Sequence, residues 1–595
     1  MFLRYTTRKK NGKEHRYYSL VENRRVADGR VVQRHALYLG EINDSQQEAW
    51  RKTIEIFEEG QARPRTVALF PEDRCGELAD PDIVRIRLSG LSLHRPRQWG
   101  ACWLTAQLWE QAGLDRFWAS RLPVSRKGTR WDQVLQVLVT YRLLDPGSEW
   151  RLHRHWFEHS AMADLLGSDF TVADIHKLYE CHERLLEHKT ELFTHLTQRW
   201  KDLFNAKFEV LLYDLTSTYF ESDPPFPEGD KRRHGYSRDK RSDCVQVIVA
   251  LIVTPEGFPL AYEVMAGNTS DKTTLADFLK KIEDQYGQAE RIWVMDRGIP
   301  TEAVLKQMRQ AQPPVQYLVG TPRGRLSRYE KRLTEVPWQV AREGVSVKLL
   351  AEGQELYVLA QSQDRVNKER AMRRRQLKGL WRRLKELQQQ KLKRDLLLKK
   401  LGAALHQYRA GARLVQTAVA PETAQLSFSL RKDKLRARRK REGRYLLRSN
   451  ITSGHSAEEL WQFYVQLTEV EAAFKNLKDD LALRPIYHQL EHRIEAHIFI
   501  SFLAYCLHVT LRRRLRDLAP GLTPRSVLEK LATVQMLDVH LPTTDERTVI
   551  LSRYTQPETD VQLLLQRLKL ELPAQPPPKI TRPQAAAQSG PVVKT

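Results

Sequence analysis

The sequence is poor in cysteine, and its cysteines are not grouped. The five residues lie far apart in a chain of 595 residues and form no CxxC pattern; they are Cys75, Cys102, Cys181, Cys244 and Cys506. This spacing argues against a disulfide framework and against a structural zinc site. We therefore expect five free, buried thiols.

Long apolar runs are also missing. The longest, His497 to Leu511, is too short for a membrane span and is interrupted by polar residues, so it is interpreted as a buried core helix. The N-terminus is basic but has neither an apolar stretch nor a small-residue cleavage site, which argues against a secretory signal. We expect a cytoplasmic protein without a membrane partner.

Positive charge, in contrast, is abundant. The chain has 97 Lys and Arg against 73 Asp and Glu, a formal net charge of +24. A field of this sign and size favours a polyanionic partner. Nucleic acid is the first candidate and a membrane surface the second.

The length exceeds what one compact core usually holds, so several domains are expected. Residues 206–320 contain strand and helix patterns in the order β-β-β-α-β-α-β, which is typical of an α/β sheet. The predicted segments are a β-rich N-terminal head (1–60), a connector (61–100), a helical module (101–205), a first core segment (206–320), an insertion domain with a basic helix (321–450), a second core segment (451–515), a C-terminal helical region (516–572) and a disordered tail (573–595).

Two strands of the predicted core carry a carboxylate. Asp214 lies inside the apolar strand KFEVLLYDLTST, and Asp296 ends the strand RIWVMD. A carboxylate in a buried strand is costly unless something pairs with it. If the two strands are neighbours, both carboxylates meet at one edge of the sheet; otherwise each is an ordinary turn or cap residue.

A third carboxylate lies on the first helix after the insertion. Tyr464, Leu467, Glu471, Phe474 and Lys478 are spaced three, four, three and four residues apart, which predicts one helical face. Three convergent carboxylates repel one another, and hard divalent cations such as Mg²⁺ or Mn²⁺ relieve that repulsion. Two such ions support in-line phosphoryl transfer. Glu471 is otherwise an ordinary solvated residue.

The order of these residues resembles a known family. Two strand aspartates followed, after a long insertion, by Tyr464-x2-Leu467-x3-Glu471-x6-Lys478 are similar to the Y-R-E-K signature of DDE transposases from bacterial insertion sequences, in the insertion-sequence-four superfamily. The resemblance covers about residues 205–510. It implies an α/β, RNase H-like catalytic core interrupted by a β-rich and helical insertion, with a β-rich N-terminal head and helical flanking modules. The signature arginine is replaced by Leu467.

By this resemblance, Asp214, Asp296 and Glu471 form the catalytic and metal-binding triad, and Tyr464 and Lys478 contact DNA near the cleaved end. The implied function is DNA transposition with two Mg²⁺ or Mn²⁺ ions, on terminal inverted repeats and target DNA. A homodimer on DNA and a cytoplasmic, nucleoid-associated location are implied too. Two alternatives stay open: an RNase H-like nuclease without strand transfer, and a catalytically inert DNA-binding protein derived from a transposase.

Further DNA contacts are predicted outside the triad. Lys475 and Lys478 either hold phosphate or are surface partners on the helix. The segment KRRHGYSRDKR, with Arg238, Lys240 and Arg241, is either a path for the DNA backbone or a solvated loop. Trp338 either stacks on an unpaired base or anchors a core.

Overall fold

The strands and helices described here are those of a computed structural model. It describes residues 2–10, 13–25, 31–41, 54–56, 65–67, 86–221, 226–269, 275–286, 291–390, 392–544 and 546–581. Cys75, most of the predicted connector and residues 582–595 of the predicted tail lie outside these residues. The chain divides into two units: unit 1 comprises Met1–Ala106, Arg154–Phe170 and Leu518–Thr595, and unit 2 comprises Gln107–His153 and Thr171–Asp517.

The strands of the described residues belong to five sheets. In chain order they are β1 (Phe2–Lys10), β2 (Lys13–Arg25), β3 (Val31–Glu41), β4 (Ile54–Ile56), β5 (Arg65–Val67), β6 (Ser92–Gln98), β7 (Val210–Phe220), β8 (Val245–Val253), β9 (Pro259–Ala266), β10 (Ile292–Met295), β11 (Gln316–Gly320), β12 (Gln339–Arg342), β13 (Val345–Glu352), β14 (Glu355–Ser362), β15 (Val415–Val419), β16 (Leu426–Leu430), β17 (Arg444–Ser449), β18 (Gln535–Pro542), β19 (Thr548–Tyr554) and β20 (Lys579–Thr581).

The α-helices of the described residues range from single turns to a helix of 28 residues. They are α1 (Gly100–Gln111), α2 (Leu114–Arg121), α3 (Trp131–Leu144), α4 (Glu149–Arg151), α5 (Phe157–His159), α6 (Met162–Leu166), α7 (Ile175–His182), α8 (Lys189–Phe204), α9 (Leu275–Tyr286), α10 (Glu302–Gln310), α11 (Arg323–Glu335), α12 (Gln363–Gln389), α13 (Arg394–Gln407), α14 (Arg409–Ala412), α15 (Lys432–Lys440), α16 (Ala457–Val465), α17 (Leu467–Lys475), α18 (Glu491–Leu518), α19 (Pro524–Leu531) and α20 (Thr559–Arg567).

Unit 2 is built on a mixed nine-stranded sheet in the order β12-β13-β14-β17-β11-β10-β7-β8-β9. Strand β10 is parallel to both of its neighbours, β7 and β11, and the other pairs are antiparallel. Every residue of β8 is buried, as expected from a strand that is apolar except for Gln246. The predicted α/β class is confirmed.

The long helix α18 covers part of this sheet. Phe502 of α18 packs on Tyr262 of β9 and on Phe193 of α8, with ring centroids 4.7 and 5.0 Å apart. By length and composition α18 is able to cross a membrane, yet 89% of its most apolar window is buried inside the protein. Such burial is typical of the core helix of a folded domain, as predicted for His497 to Leu511.

The predicted insertion divides into two regions in the structure. Strands β12, β13, β14 and β17 extend the nine-stranded sheet, so the sheet does not end at Gly320. The remainder, α12 to α14 with the hairpin β15–β16, has a core of its own. The predicted leucine seam of the basic helix lies there: Leu380, Leu384 and Leu387 are buried, and Leu377 packs against them. The sequence could not separate these regions because short strand patterns do not reveal their pairing partners.

Unit 1 contains three of the smaller sheets, one of which is the short pair β4–β5. The N-terminal head is an antiparallel sheet in the order β1-β2-β3. The third sheet, in the order β20-β19-β18-β6, joins the predicted connector and tail to the C-terminal region, which is therefore not wholly helical. Buried Arg97 of β6 holds this sheet together, since its guanidinium donates hydrogen bonds to Asp538 of β18 and to Asp164.

Candidate active site

Two carboxylates meet where β7 and β10 run side by side. The parallel register pairs Met295 with Tyr213, so the next residues along the two strands are Asp296 and Asp214. Strand β10 ends at Met295, which leaves Asp296 exposed beyond the end of its strand. Asp214 continues within β7, and 21% of its side chain is exposed. The prediction that the two strands are neighbours is confirmed.

Glu471 approaches this edge from helix α17, which packs against β7 and β8. The predicted single helical face is wrong in detail. Helix α16 ends at Val465, α17 begins at Leu467, and a π-helical turn follows at Asn476–Asp480. A π turn adds one residue to its turn, which rotates Lys478 away from the stripe expected from a spacing of three and four. Glu471 itself is exposed.

The three carboxylates interact electrostatically. Burial raises the pKa of Asp214 to about 6, and the negative charges of Asp296 and Glu471 add to this rise. The Arg238 guanidinium, whose Nη1 lies 3.6 Å from Asp214 Oδ1, acts in the opposite direction. Negative charge is therefore concentrated at one edge of the sheet, and Arg238 compensates only part of it.

Tyr464 belongs to the same site. Its hydroxyl donates a hydrogen bond to Asp296 Oδ1 over 3.5 Å. Burial, with a contribution from Asp296, raises the pKa of Tyr464 above its usual range, so the phenol stays protonated. The hydroxyl occupies the space beside Gly320, where a Cβ would lie only 2.5 Å from it. This close approach requires glycine at the end of β11.

A cavity of about 530 Å³ opens beside Asp296 and Tyr464. Three arginines line it, and none of them was predicted from the sequence: Arg297, Arg365 and Arg444. Arg297 follows Asp296 directly and was therefore detectable, whereas Arg365 and Arg444 come from the predicted insertion. The cavity thus presents cationic side chains next to the acidic edge, as expected where a phosphodiester backbone binds.

Arg238 is the residue that connects the predicted basic loop to the acidic site. Arg238 faces Asp214, and its backbone N–H donates to Ser217 Oγ over 3.3 Å. Lys240 is exposed and has a positive φ of 61°. Arg241 is paired with Glu221 and Asp243, each over 3.0 Å, so DNA would have to compete with these exposed ion pairs.

The two lysines of the predicted phosphate clamp differ in exposure. Lys475, at the end of α17, is exposed. Only 9% of the Lys478 side chain is exposed, and its Nζ donates to Asp239 Oδ1 over 3.0 Å. Asp239 also pairs with Arg484, which ties the basic loop to the chain after α17. Contact between Lys478 and DNA would require this buried pair to open.

Trp338 lies directly before β12. Its ring is partly buried, as a core residue would be, and partly exposed, as a residue that stacks on a base would be. It is 37% exposed, while Lys348 Nζ lies 4.7 Å and the Arg444 guanidinium carbon 5.5 Å from its ring centroid. The ring is therefore included in a cationic patch with an arginine of the cavity. The Lys348 ammonium is buried and donates to the Leu333 carbonyl oxygen, and the exposed portion of the ring faces solvent.

The acidic site has the chemistry of a divalent cation site. Its donors are carboxylate oxygens, the ligands that Mg²⁺ and Mn²⁺ prefer, and the pKa of Asp214 is raised by burial and by the charges of Asp296 and Glu471. Within the described chain, the triad is not a group whose ligand atoms all lie within 4.8 Å of one another.

Three carboxylates at one sheet edge, bordered by basic side chains, define a class of enzymes that transfer phosphoryl groups on nucleic acids. Residues 206–507 match the family model of the transposase DDE domain, and residues 3–68 match the N-terminal domain of the IS1634 family of transposases. The chain belongs to the DDE transposase family of insertion sequences. It is a DNA transposase, an enzyme that cleaves and transfers DNA strands.

The other comparisons add less. One solved structure, the synaptic complex of piggyBac transposase with hairpin DNA, is similar with a TM-score of 0.33 and 11% sequence identity. The similarity covers 74% of this chain and 82% of the chain in that structure. No curated protein matches the sequence. Enzymes of the DDE family generally use divalent metal ions and act on DNA.

Proposed function

We propose that this transposase cuts at the ends of its insertion sequence and joins them to target DNA with Asp214, Asp296 and Glu471 as its catalytic residues. The observation that carries the proposal is the register of β7 and β10, which places Asp214 and Asp296 directly after the last paired residues, at the edge that α17 approaches. In this proposal the nine-stranded sheet contains an RNase H-like core.

The triad would hold two Mg²⁺ or Mn²⁺ ions. When bound, the ions supply activation of a water or a 3′-hydroxyl and stabilisation of the leaving oxygen in an in-line displacement. The protein contributes the arrangement of the three carboxylates, and Tyr464 fixes Asp296 through its hydrogen bond. Arg238 limits the repulsion at Asp214 until a cation is present.

Basic side chains around the triad would bind the DNA backbone. The arginines of the cavity and the exposed Lys240 and Lys475 are the proposed phosphate contacts, and Trp338 is a proposed stacking partner for an unpaired base. Arg241, Tyr464 and Lys478 complete the proposed DNA-binding set. Because two ends must be brought together, the acting form would be a homodimer on terminal inverted repeats, at the nucleoid in the cytoplasm.

The test is a strand cleavage and strand transfer assay on labelled DNA that carries the element's own ends, with Mg²⁺ or Mn²⁺. Wild type is compared with Asp214→Asn, Asp296→Asn and Glu471→Gln. The matched control is Glu469→Gln on the same helix, which removes only a partly exposed pair with Arg512. We expect the three triad variants to bind DNA but not to cut it, while the control retains activity.

Each alternative gives a different outcome. Cutting without joining by wild type would indicate a nuclease, and binding without cutting would indicate an inert DNA-binding protein. Full activity of Glu471→Gln would remove α17 from the catalytic site. Light scattering on the DNA-bound protein tests the dimer, since a single chain on paired ends would contradict it.

A further inference from the structure

A second group of metal-ligating side chains lies inside unit 2. We call it the histidine cluster: Glu149, His182, His488 and His497. Glu149 begins α4, His182 ends α7, His488 precedes α18, and His497 lies within α18. All four residues are nearly inaccessible, with side-chain exposures of 8% or less. None of them has a role in the proposed DNA chemistry, and the inference does not depend on that proposal.

The spacing of three ligand atoms matches a tetrahedral metal site. Glu149 Oε1 lies 3.3 Å from His488 Nε2 and 3.5 Å from His182 Nε2. The ligand atoms of these three residues all lie within 4.8 Å of one another. Ligands about 2.0 to 2.2 Å from a tetrahedral Zn²⁺ are separated from each other by about 3.3 to 3.6 Å. The two distances from Glu149 Oε1 to the imidazole nitrogens fall in that range.

The orientation of His182 gives independent support. Its Nδ1–H donates to the Leu178 carbonyl oxygen over 2.8 Å, which leaves the lone pair of a neutral ring on Nε2. His182 Nε2 is fully buried and makes no hydrogen bond. It therefore directs a lone pair towards the carboxylate oxygen 3.5 Å away. A backbone carbonyl that fixes the tautomer in this way is typical of a metal-bound histidine.

The nearest cationic neighbour of the cluster makes only a long ion pair with Glu149. The closest guanidinium nitrogen, Arg142 Nη2, lies 3.9 Å from Glu149 Oε1, too far for a hydrogen bond. Arg142 donates to the Ala482 carbonyl oxygen over 3.3 Å and to His497 Nδ1 over 3.5 Å. Because His497 Nδ1 faces this guanidinium and lies 3.9 Å from Glu149 Oε1, the fourth coordination position is left to a water.

We propose that Glu149, His182 and His488 bind one structural Zn²⁺ ion. Two imidazoles and one carboxylate favour zinc over Mg²⁺, which prefers oxygen ligands alone. The ion would join α4 and α7 to the segment between α17 and α18, because His488 lies in that segment. In the sequence, the absence of cysteine pairs argued against a structural zinc site. That argument does not hold for a site made of histidine and glutamate.

The test uses the full-length protein with Zn²⁺ and with Co²⁺ as a spectroscopic probe. Zinc content is measured after dialysis, in wild type and in Asp214→Asn, since the latter disables the acidic triad. We expect one zinc per chain in both, and the visible absorption of tetrahedral Co²⁺ after replacement. His182→Gln should lower the Zn²⁺ affinity by at least about 100-fold. His176→Ala and His492→Ala, which remove exposed histidines of the same helices, should not change it.

If His182→Gln fails to fold, the zinc content and the Co²⁺ spectrum of the wild-type protein still decide between the outcomes. A wild type that retains no zinc after dialysis and gives no tetrahedral Co²⁺ spectrum would overturn the proposal. Loss of the zinc in Asp214→Asn alone would overturn it as well, because the ion would then belong to the triad. Equal Zn²⁺ affinity in His182→Gln and His176→Ala would show that the cluster is only a buried network of hydrogen bonds.

Discussion

The acidic triad and the histidine cluster are two carboxylate sites of the same unit with opposite surroundings. Asp296 and Glu471 are exposed, and their neighbours are a third carboxylate and arginines. Glu149 is buried, with a side-chain exposure of 7%, and is bordered by imidazoles. The triad is accessible to a polymer and suits hard cations, whereas the cluster is closed and suits zinc. In the two proposals, the exposed site serves the chemistry and the buried site serves stability.

The largest effect is expected on activity at the exposed site. Asp296→Asn removes one of the proposed ion ligands, so the strand cleavage rate should fall by about 1000-fold or more. Because Asp296 is exposed at the end of β10, its free energy of unfolding should change by only about 0.5 kcal/mol. Cleavage rates and urea unfolding of the same preparation measure both quantities. A variant that loses activity by unfolding would contradict the assignment.

The buried site should respond in the opposite way. Glu149→Ala leaves Arg142 without its carboxylate neighbour in a buried environment, which should lower the free energy of unfolding by about 3 to 5 kcal/mol. Glu180→Ala on α7 removes an exposed pair with Arg184 and should cost at most about 1 kcal/mol. Denaturant unfolding compares the two variants. Equal stability of both would mean that the cluster does not hold the fold together.

A smaller effect is expected beside the triad. Gly320→Ala places a methyl group where the Tyr464 hydroxyl lies, so Tyr464 and its hydrogen bond to Asp296 should be displaced. We expect a cleavage rate about 10-fold lower. Gly324→Ala, four residues along the chain, has no atom within 4 Å of the added Cβ and should be neutral. An unchanged rate in Gly320→Ala would show that Tyr464 has no role in the site.

Acid should weaken the buried region of unit 2 gradually. Burial lowers the pKa of His508 to about 4, with a contribution from Arg512 and an opposing one from Asp480. The unfolded chain gains a proton near pH 6.5 that the folded protein does not accept, so stability is complete above about pH 6.5. Between about pH 6.5 and 4, it should fall by about 1.4 kcal/mol per unit. His508→Asn should show a flatter slope in denaturant unfolding, and an identical slope would contradict this explanation.

The sequence predicted the acidic edge because its signals are local. Apolar runs marked β7 and β10, and each run carried its aspartate. The break at Gln466 was not predictable in the same way, because the residues around it continue a helical pattern although α16 and α17 are separate helices. The pairing of β17 between β11 and β14 depends on contacts between strands that are far apart in the sequence, which local patterns do not contain.

The histidine cluster shows a different limit. His488, His492 and Glu495 are near one another in sequence, and their spacing alone is compatible with a metal site on one helix. The fold instead turns His492 towards Glu183 and pairs Glu495 with Lys231. The two other residues of the proposed zinc site, Glu149 and His182, come from α4 and α7, more than 300 positions earlier. Spacing within one segment cannot reveal ligands that different segments contribute.

The most direct test of the proposed chemistry is a metal rescue at Asp296. Asp296→Cys replaces a carboxylate by a thiolate, a soft ligand that binds Mg²⁺ poorly and Mn²⁺ or Cd²⁺ better. If Asp296 binds the catalytic ion, the variant should cut the element's ends hardly at all in Mg²⁺ and regain activity in Mn²⁺ or Cd²⁺, while Asp296→Ala stays inactive in all three. Equal activity of Asp296→Cys in every metal, or equal rescue of Asp296→Ala, would contradict the central claim that this carboxylate holds the metal for DNA strand transfer.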